Sequence, residues 1–296
     1  MKTILLSNKN LSGKTVVALG KFDGIHKGHI KLLERASRVA SELDVVSLVY
    51  IMEPEYGEKL TDLSEKKDVI SSLGIDALCV EPLTQDFMSM SPENFVLQIL
   101  SKQLNACHIV VGYNFRFGKD RIGNPHMLKA LCENEGITVD VIECVYAEEN
   151  GENIAVSSSE IRRMASMGEV EKIKHLLGRN YSVKGKVEHG KHLGRTINFP
   201  TANIYRKKRE FALKFGVYKT IVTIDGQQYN AVTNVGINPT VDAPDENVRV
   251  ESFIKNFDGD IYGKEIVVEF CAFIRDEMKF NSLDELKMQI EKDKMN

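Results

Sequence analysis

The chain has 296 residues, 43% of them apolar and 27% charged, with a net charge of −3. That is the make-up of an ordinary soluble globular protein long enough for two domains, each with its own core. Near-neutral charge gives no electrostatic case for nucleic acid, no apolar stretch approaches a membrane span, and residues 3–6 are too short for a signal peptide.

The five cysteines are odd in number and widely spaced, which fits reduced thiols in a cytoplasm better than a disulfide framework. The basic run from Arg206 to Arg209 reads as a solvated loop. From Thr15 to about Cys144, apolar runs alternate with helical periodicity. Strands are expected near 16–19, 45–51, 77–80, 108–111 and 138–142, and helices near 28–43, 64–73, 91–104 and 124–134. Short, wholly apolar strands separated by helices imply a parallel sheet covered on both faces, with ligands bound beyond the carboxyl ends of its strands.

Residues 20–29, Gly-Lys-Phe-Asp-Gly-Ile-His-Lys-Gly-His, occupy the first strand-to-helix turn. Gly20, Gly24 and Gly28 let the backbone bend and approach a ligand, and the first helical amides favour phosphate. His26 and His29, three apart, share a helix face and can both reach that phosphate. Zinc is a poor alternative because the nearest cysteine, Cys79, stands alone. Just upstream, Ser12-Gly13-Lys14-Thr15 imitates the tail of a P-loop, but Asn8 stands where a glycine is required and the segment precedes its strand.

A second turn follows the strand ending at Val111: Gly112-Tyr113-Asn114-Phe115-Arg116-Phe117-Gly118, then Lys119 and Arg121. Its cations suit phosphates and its aromatic residues suit a planar ring. Ser157 with Glu160 forms a capping-box pattern, and the helix start it announces offers Ser158, Ser159 and Arg162 to an anion. Further helical periodicity runs from 169 to 177. From Tyr181 onward the pattern changes to strands near 183–188, 217–224, 229–235, 248–254 and 266–274, with Asp225-Gly226 as a hairpin signal and a final helix after Ser282. Such spacing argues a small antiparallel barrel, with the domain boundary near 178–181.

In this half Pro200 stiffens a turn that presents the Thr201 hydroxyl and the Asn203 carboxamide, oxygen donors of the kind Mg²⁺ accepts beside nucleotide phosphates. Glu251 lies in the strand expected over 248–254, where a glutamate ordinarily faces water. Residues 258–269 imitate an EF-hand loop, but Tyr262 stands at its fifth position and the flanks alternate like strands.

Residues 20–29 resemble the G-x-F-D-x-x-H-x-G-H signature of the nucleotidylyltransferases, in the form found in prokaryotic bifunctional FAD synthetases. Residues 112–118 resemble the G-x-[DN]-F-x-F-G loop of that family, and 157–162 its S-S-T-x-I-R motif, with Ser159 in place of Thr. Residues 198–203, Asn-Phe-Pro-Thr-Ala-Asn, resemble the Gly-x-Pro-Thr-Ala-Asn signature of riboflavin kinase, with Asn198 in place of Gly, and the segments around Glu251 and Phe273-Ile274-Arg275 extend the match.

The resemblance implies an α/β protein. Residues 1–178 would form a Rossmann-like nucleotidylyltransferase domain with a parallel sheet, and 179–296 a small antiparallel riboflavin-kinase barrel with a terminal helix. The implied reactions phosphorylate riboflavin with ATP and Mg²⁺ and then join FMN to the α-phosphate of a second ATP, releasing pyrophosphate. Glu251 would be the kinase base and His26 and His29 the catalytic histidines of the transferase. Gly20, Phe22, Asp23, Gly24, Gly28, Ser158, Ser159 and Arg162, with Gly194, Thr201 and Asn203 in the kinase, would hold ATP and its phosphates. Thr201 and Asn203 would also bind the metal, and Asn114, Phe115, Arg116 and Arg275 the flavin. Partners would be flavin and ATP, with no nucleic acid and no membrane.

One departure stands out. Where the family has Phe-x-Pro-His-Pro this chain reads Met52-Glu53-Pro54-Glu55-Tyr56, whose two carboxylates would repel the FMN phosphate if they faced it. This supports an alternative, a riboflavin kinase whose first module is weak or inactive. A second alternative is a non-catalytic flavin-binding regulator.

Overall fold

A computed structural model describes residues 2–4, 11–54, 57–149, 151–189, 201–208, 211–237, 247–278, 282, 285, 288, 289 and 291–293. Compact units divide at Ser157–Ser158: residues 1–57 and 61–157 form one, and 58–60 with 158–296 the other.

The first unit is built on β1 (Lys2–Ile4), β2 (Thr15–Gly20), β3 (Val46–Glu53), β4 (Ala77–Pro82), β5 (Ala106–Gly112) and β6 (Thr138–Ile142). They make one sheet in the order β1-β4-β3-β2-β5-β6, and every pair in it is parallel. Alternation along the strands sorts the core. Val16, Ala18, Val49, Ile51, Leu78 and Val110 face α1 (Lys27–Leu43) and α2 (Leu63–Ser72), meeting Leu33, Ala36 and Ile70. Val17, Leu19, Leu48, Tyr50 and Ile109 pack on the other face against Phe95, Leu100 and Leu128. Strands buried on both faces explain the unbroken apolar runs.

Two single turns, α3 (Gln85–Met88) and α4 (Pro92–Asn94), precede a nine-residue π-helix, Phe95–Gln103. The Ser91 hydroxyl caps the start as its Ser-Pro pattern requires. The π-helix replaces most of the α-helix expected over 91–104, since hydrogen bonds such as Leu104 N–H to Ile99 O (2.8 Å) reach five residues back. α5 (Pro125–Asn134) leads into β6, and β7 (Tyr146–Glu149) and β8 (Glu152–Ala155) form a hairpin the apolar periodicity did not announce. The strand order reverses between β2 and β5, so the turn after β2 sits at the switch point where open α/β sheets bind ligands.

The second unit opens with α6 (Ser158–Met167) and α7 (Val170–Leu177). Both helices, grouped by sequence with the first domain, cluster with the barrel here: Lys214 N–H donates to Ala165 O (2.8 Å), and a Cβ on Gly168 would meet the Phe273 ring at 3.1 Å. The barrel strands are β9 (Tyr181–Lys186), β10 (Thr201–Lys207), β11 (Gly216–Ile224), β12 (Gln227–Ile237), β13 (Asn247–Ile254) and β14 (Glu265–Arg275). Their order is β10-β13-β12-β11-β14-β9, antiparallel throughout, and a bridge between Glu188 and Asn203 brings the ends together. The Asp225-Gly226 turn takes left-handed backbone at both positions (φ 49° and 82°), as a tight hairpin requires. β10 stands where the sequence suggested a proline-stiffened turn. Residues 285, 288, 289 and 291–293 are helical, behind a Ser282 cap that accepts from Glu285 N–H.

Inside the barrel three buried hydroxyls form a chain: Thr220 Oγ1 to Thr233 Oγ1 at 2.7 Å, and Thr233 Oγ1 to Ser252 Oγ at 2.8 Å. Thr233→Val strands both neighbours, so it is expected to cost about 1–3 kcal/mol. Replacing all three by apolar residues should cost less than the sum of the single changes, because no unpaired group is left. Thermal unfolding of the single and triple variants checks this.

Candidate functional site

Each unit carries one site. In the first, the chain leaves β2 and turns sharply through Phe22 (φ 49°), Gly24 (φ 81°) and Ile25 (φ 39°). Left-handed backbone at two bulky residues is strained by roughly 1–3 kcal/mol each, and the burial of both side chains, 0% exposed, holds them there. Of the three glycines only Gly24 uses φ > 0. The other two make room: a Cβ on Gly20 would lie 3.1 Å from the Phe22 ring, and one on Gly28 would lie 3.2 Å from the His26 ring.

His26 is the N-cap of α1, and its Nδ1 accepts from His29 N–H at 3.3 Å. In the neutral ring the proton therefore sits on Nε2. The two imidazoles stack with centroids 3.7 Å apart and planes 14° from parallel. Burial first, then the neighbouring His26 and Lys66, hold His29 well below the ordinary histidine range. Its Nδ1 is buried without a hydrogen-bond partner. The pair thus places two imidazole rings, that of His29 held neutral, at a helix N-terminus, the setting in which a polyphosphate is bound.

Asp23 is buried with its Oδ1 accepting from Thr61 N–H (3.3 Å), and Gly24 N–H donates to Thr61 Oγ1 (3.1 Å). Thr61 precedes the α2 N-cap, Asp62, so the turn and α2 are tied together. One turn into α2 stands a residue that sequence reasoning passed over. Lys66 is 1% exposed, and its Nζ lies 2.6 Å from Glu53 Oε2. Glu53 is therefore not the bare repulsive carboxylate expected of it; Glu55 and Tyr56 lie outside the described residues.

The second turn differs from expectation in its aromatic residues. Phe115 and Phe117 are 8% and 4% exposed and stack on each other within the core, so Phe115 has no free face for a flavin ring. Phe117 pairs with Gly123 to close the loop, which turns both phenylalanines inward. Asn114, Arg116 and Tyr113 are on the surface, and Arg116 donates to Phe115 O. Ser158, Ser159 and Arg162 stand in the first turns of α6, in the second unit, where Glu160 is engaged by Arg163 at 2.6 Å. The P-loop imitation is structural: Thr15 Oγ1 donates to Leu104 O. Among the described residues no cluster of His, Cys, Asp or Glu suits a metal, at the EF-hand imitation or elsewhere.

In the second unit, β10 and β13 pair with Asn203 opposite Glu251 and Thr201 opposite Phe253. Strand alternation turns Val248, Val250 and Ser252 into the barrel and leaves Arg249 and Glu251 outward. Thr201 Oγ1 donates to Glu251 Oε1 at 2.8 Å, and Arg249 binds Glu251 Oε2 at 3.0 Å. Asn203 is 3% exposed, donates to Thr201 O (3.4 Å), and keeps a buried Oδ1 with no partner. An orphaned amide oxygen beside a hydroxyl and a carboxylate is the hard-oxygen donor set that Mg²⁺ takes, so these residues fit the metal. Arg249 escaped the sequence reading, although its place two residues before Glu251 in a strand already put both on one face.

Arg275 differs from its expected role. Its guanidinium grips Asp293, itself 2% exposed, at 2.7 and 3.2 Å, and so clasps the terminal helical residues to β14. Gly194, in the segment preceding β10, lies outside the described residues.

Two family models match the chain: FAD synthetase over residues 8–160 and riboflavin kinase over 177–296. Curated relatives described as bifunctional riboflavin kinase/FMN adenylyltransferase include one from Buchnera aphidicola subsp. Acyrthosiphon pisum, 35% identical over 96% of this chain and 93% of its own. One from Pseudomonas fluorescens is 35% identical (94% and 90%), and one from Bacillus subtilis is 34% identical (99% and 96%). A solved structure described as a macrolide-efflux protein from Streptococcus pneumoniae superposes with a TM-score of 0.84 at 30% identity, covering 100% of this chain and 98% of that one. Among the described residues here no helix is long and apolar enough to cross a membrane.

Proposed function

From membership of the bifunctional riboflavin kinase/FMN adenylyltransferase family, to which this chain belongs, we propose specific roles for the residues of its two sites. The enzyme phosphorylates riboflavin to FMN and adenylylates FMN to FAD. As functional divisions we keep 1–178 for the adenylyltransferase and 179–296 for the kinase.

In the kinase, Glu251 takes the proton of the flavin's terminal ribityl hydroxyl as that oxygen attacks the γ-phosphorus of ATP. The bond from γ-phosphorus to the bridging oxygen breaks, and ADP leaves. Thr201 and Arg249 each hold one carboxylate oxygen of Glu251, fixing its direction and leaving lone pairs for the substrate. Thr201 and Asn203 hold Mg²⁺, which when bound neutralises phosphate charge. The unpartnered Oδ1 of Asn203 is the observation that carries this assignment.

In the adenylyltransferase, an oxygen of the FMN phosphate attacks the α-phosphorus of ATP and pyrophosphate departs. No protein nucleophile is needed, since positioning and charge stabilisation supply the rate. His26 and His29, on a turn shaped by Gly20, Phe22, Asp23, Gly24 and Gly28, hold the triphosphate, and we assign Ser158, Ser159 and Arg162 to ATP phosphate binding as well. Asn114 and Arg116 remain flavin-contact residues, while the core position of Phe115 supports the loop's shape instead. The five cysteines, none joined in a disulfide, support a cytoplasmic setting.

Purified protein given riboflavin, ATP and Mg²⁺ should yield FMN and then FAD with pyrophosphate, and excess EDTA should stop both. FMN without FAD would instead favour a kinase with an inactive first module; bound flavin with no ATP turnover would favour a regulator.

A further inference from the structure

Asn234 stands in the interior of β12, between Thr233 and Val235. Asparagine is disfavoured in strands, and an amide drawn out of water costs free energy unless something pairs with it. The Asn234 side chain is partly buried and makes no hydrogen bond among the described residues. The strand register shows what it faces. Asn234 pairs with Glu251 across β12 and β13, and Glu251 pairs with Asn203 across β13 and β10. Alternation turns Thr233 and Val235 into the barrel, as it does Val250 and Ser252. Asn203, Glu251 and Asn234 therefore form one row on the outer face, with the carboxylate in the middle. Facing residues of an antiparallel pair have Cβ atoms about 4.5–5.5 Å apart, so both amides lie beside Glu251.

The two sides of Glu251 differ in chemistry. On the β10 side Thr201 donates to Oε1 at 2.8 Å, and the buried, unpartnered Oδ1 of Asn203 suits a metal. On β13 itself Arg249 holds Oε2 at 3.0 Å. On the β12 side stands Asn234. Two places along that strand Gly236 has no side chain, and the Glu277 carboxylate lies over it. Arg249 offsets one of the two carboxylates, so this corner has no net positive charge and suits a neutral hydroxyl better than a phosphate. A carboxamide is both donor and acceptor, which matches a hydroxyl that is both.

We propose that Asn234 binds the secondary hydroxyl next to the terminal one on the ribityl chain of riboflavin, and so sets the terminal hydroxyl against Glu251. Neighbouring hydroxyls of a polyol are joined by one carbon–carbon bond, a spacing that two facing side chains on paired strands can serve together. Asn234 transfers no proton and forms no covalent bond. Its contact makes the kinase select a flavin with a polyol tail over one that carries a lone terminal alcohol. The inference rests on the kinase reading of the second unit.

The test compares riboflavin with 4′-deoxyriboflavin, which lacks that secondary hydroxyl and keeps the terminal one, in the parent, Asn234→Leu and Asn234→Ala. The parent is expected to favour riboflavin by about tenfold in kcat/KM, the worth of one neutral hydrogen bond. Either variant should lower kcat/KM for riboflavin by about tenfold and treat the two flavins alike within about twofold, because analogue and substitution remove the same contact. The ratio between substrates is independent of the fraction of folded enzyme, so a poorly folding variant still reports. A parent that phosphorylates both flavins equally well, or variants that keep the parent's preference, would overturn the proposal. A parent that phosphorylates neither flavin would instead remove the kinase reading beneath it, and the proposal with it.

Discussion

Glu251→Gln is expected to lower kcat for riboflavin phosphorylation by about 10³-fold, within the range a positioned general base supplies, while FAD formation from added FMN stays at the parent's level. The amide keeps the size of the carboxylate and can still accept from Thr201, but it cannot take a proton. Its NH₂ group would also face Arg249, donor against donor, where Oε2 now accepts at 3.0 Å. Arg249→Met tests the neighbouring claim. It leaves the base in place and removes one of two anchors, so kcat should fall by about tenfold with KM for riboflavin little changed. Timed chromatography of FMN and FAD reads both variants. A Glu251→Gln enzyme that phosphorylates riboflavin at the parental rate would remove the barrel from the chemistry.

The sheet was legible in the sequence because burial on both faces writes itself as short apolar runs: 16–19, 77–80 and 108–111 all fall within observed strands. β1, three residues long, gives no periodicity to detect, and it becomes a strand by pairing in parallel with β4. β10 was hidden because its residues Thr201, Asn203 and Tyr205 carry polar groups, and Pro200 before them reads as a turn. The Gly-rich histidine segment was legible as a strand-to-helix turn, and its geometry divides the glycines into one left-handed hinge and two that simply lack a Cβ. Three assignments depended on tertiary context that no local pattern carries. Phe115 turned into the core because Phe117 pairs back with Gly123. Arg275 found a carboxylate 18 residues away. Glu53 acquired Lys66 from a helix 13 residues on, which converts an apparent obstacle to phosphate into half of an ion pair.

His29→Ala should reduce FAD formation by about 10²–10³-fold, the loss seen when one preorganised donor to a developing oxyanion is removed, and should leave riboflavin phosphorylation intact. The ring is stacked on His26 and tilted against Phe22, centroids 5.2 Å apart, so its loss also frees the other imidazole to move. Gly28→Ala probes the same geometry without touching either ring: the new Cβ would press on His26 at 3.2 Å, and a partial loss of FAD formation is expected. Protonation supplies an independent readout. The folded protein holds His29 well below its ordinary pKa, chiefly by burial, whereas the unfolded chain protonates it near about pH 6.5. The unfolded state therefore binds the additional proton as pH falls, and the stability gained by keeping the ring neutral is present above about pH 6.5 and lost progressively below it. His108, also lowered by burial though its Asp140 neighbour opposes the shift, adds to the same slope. In thermal unfolding between about pH 5 and 7.5, the range that spans the unfolded histidine pKa, His29→Ala should flatten the acid-side fall of the melting temperature without abolishing it. An unchanged slope would mean that His29 is already solvated and charged in the folded protein, and the neutral-donor account of the turn would fail with it.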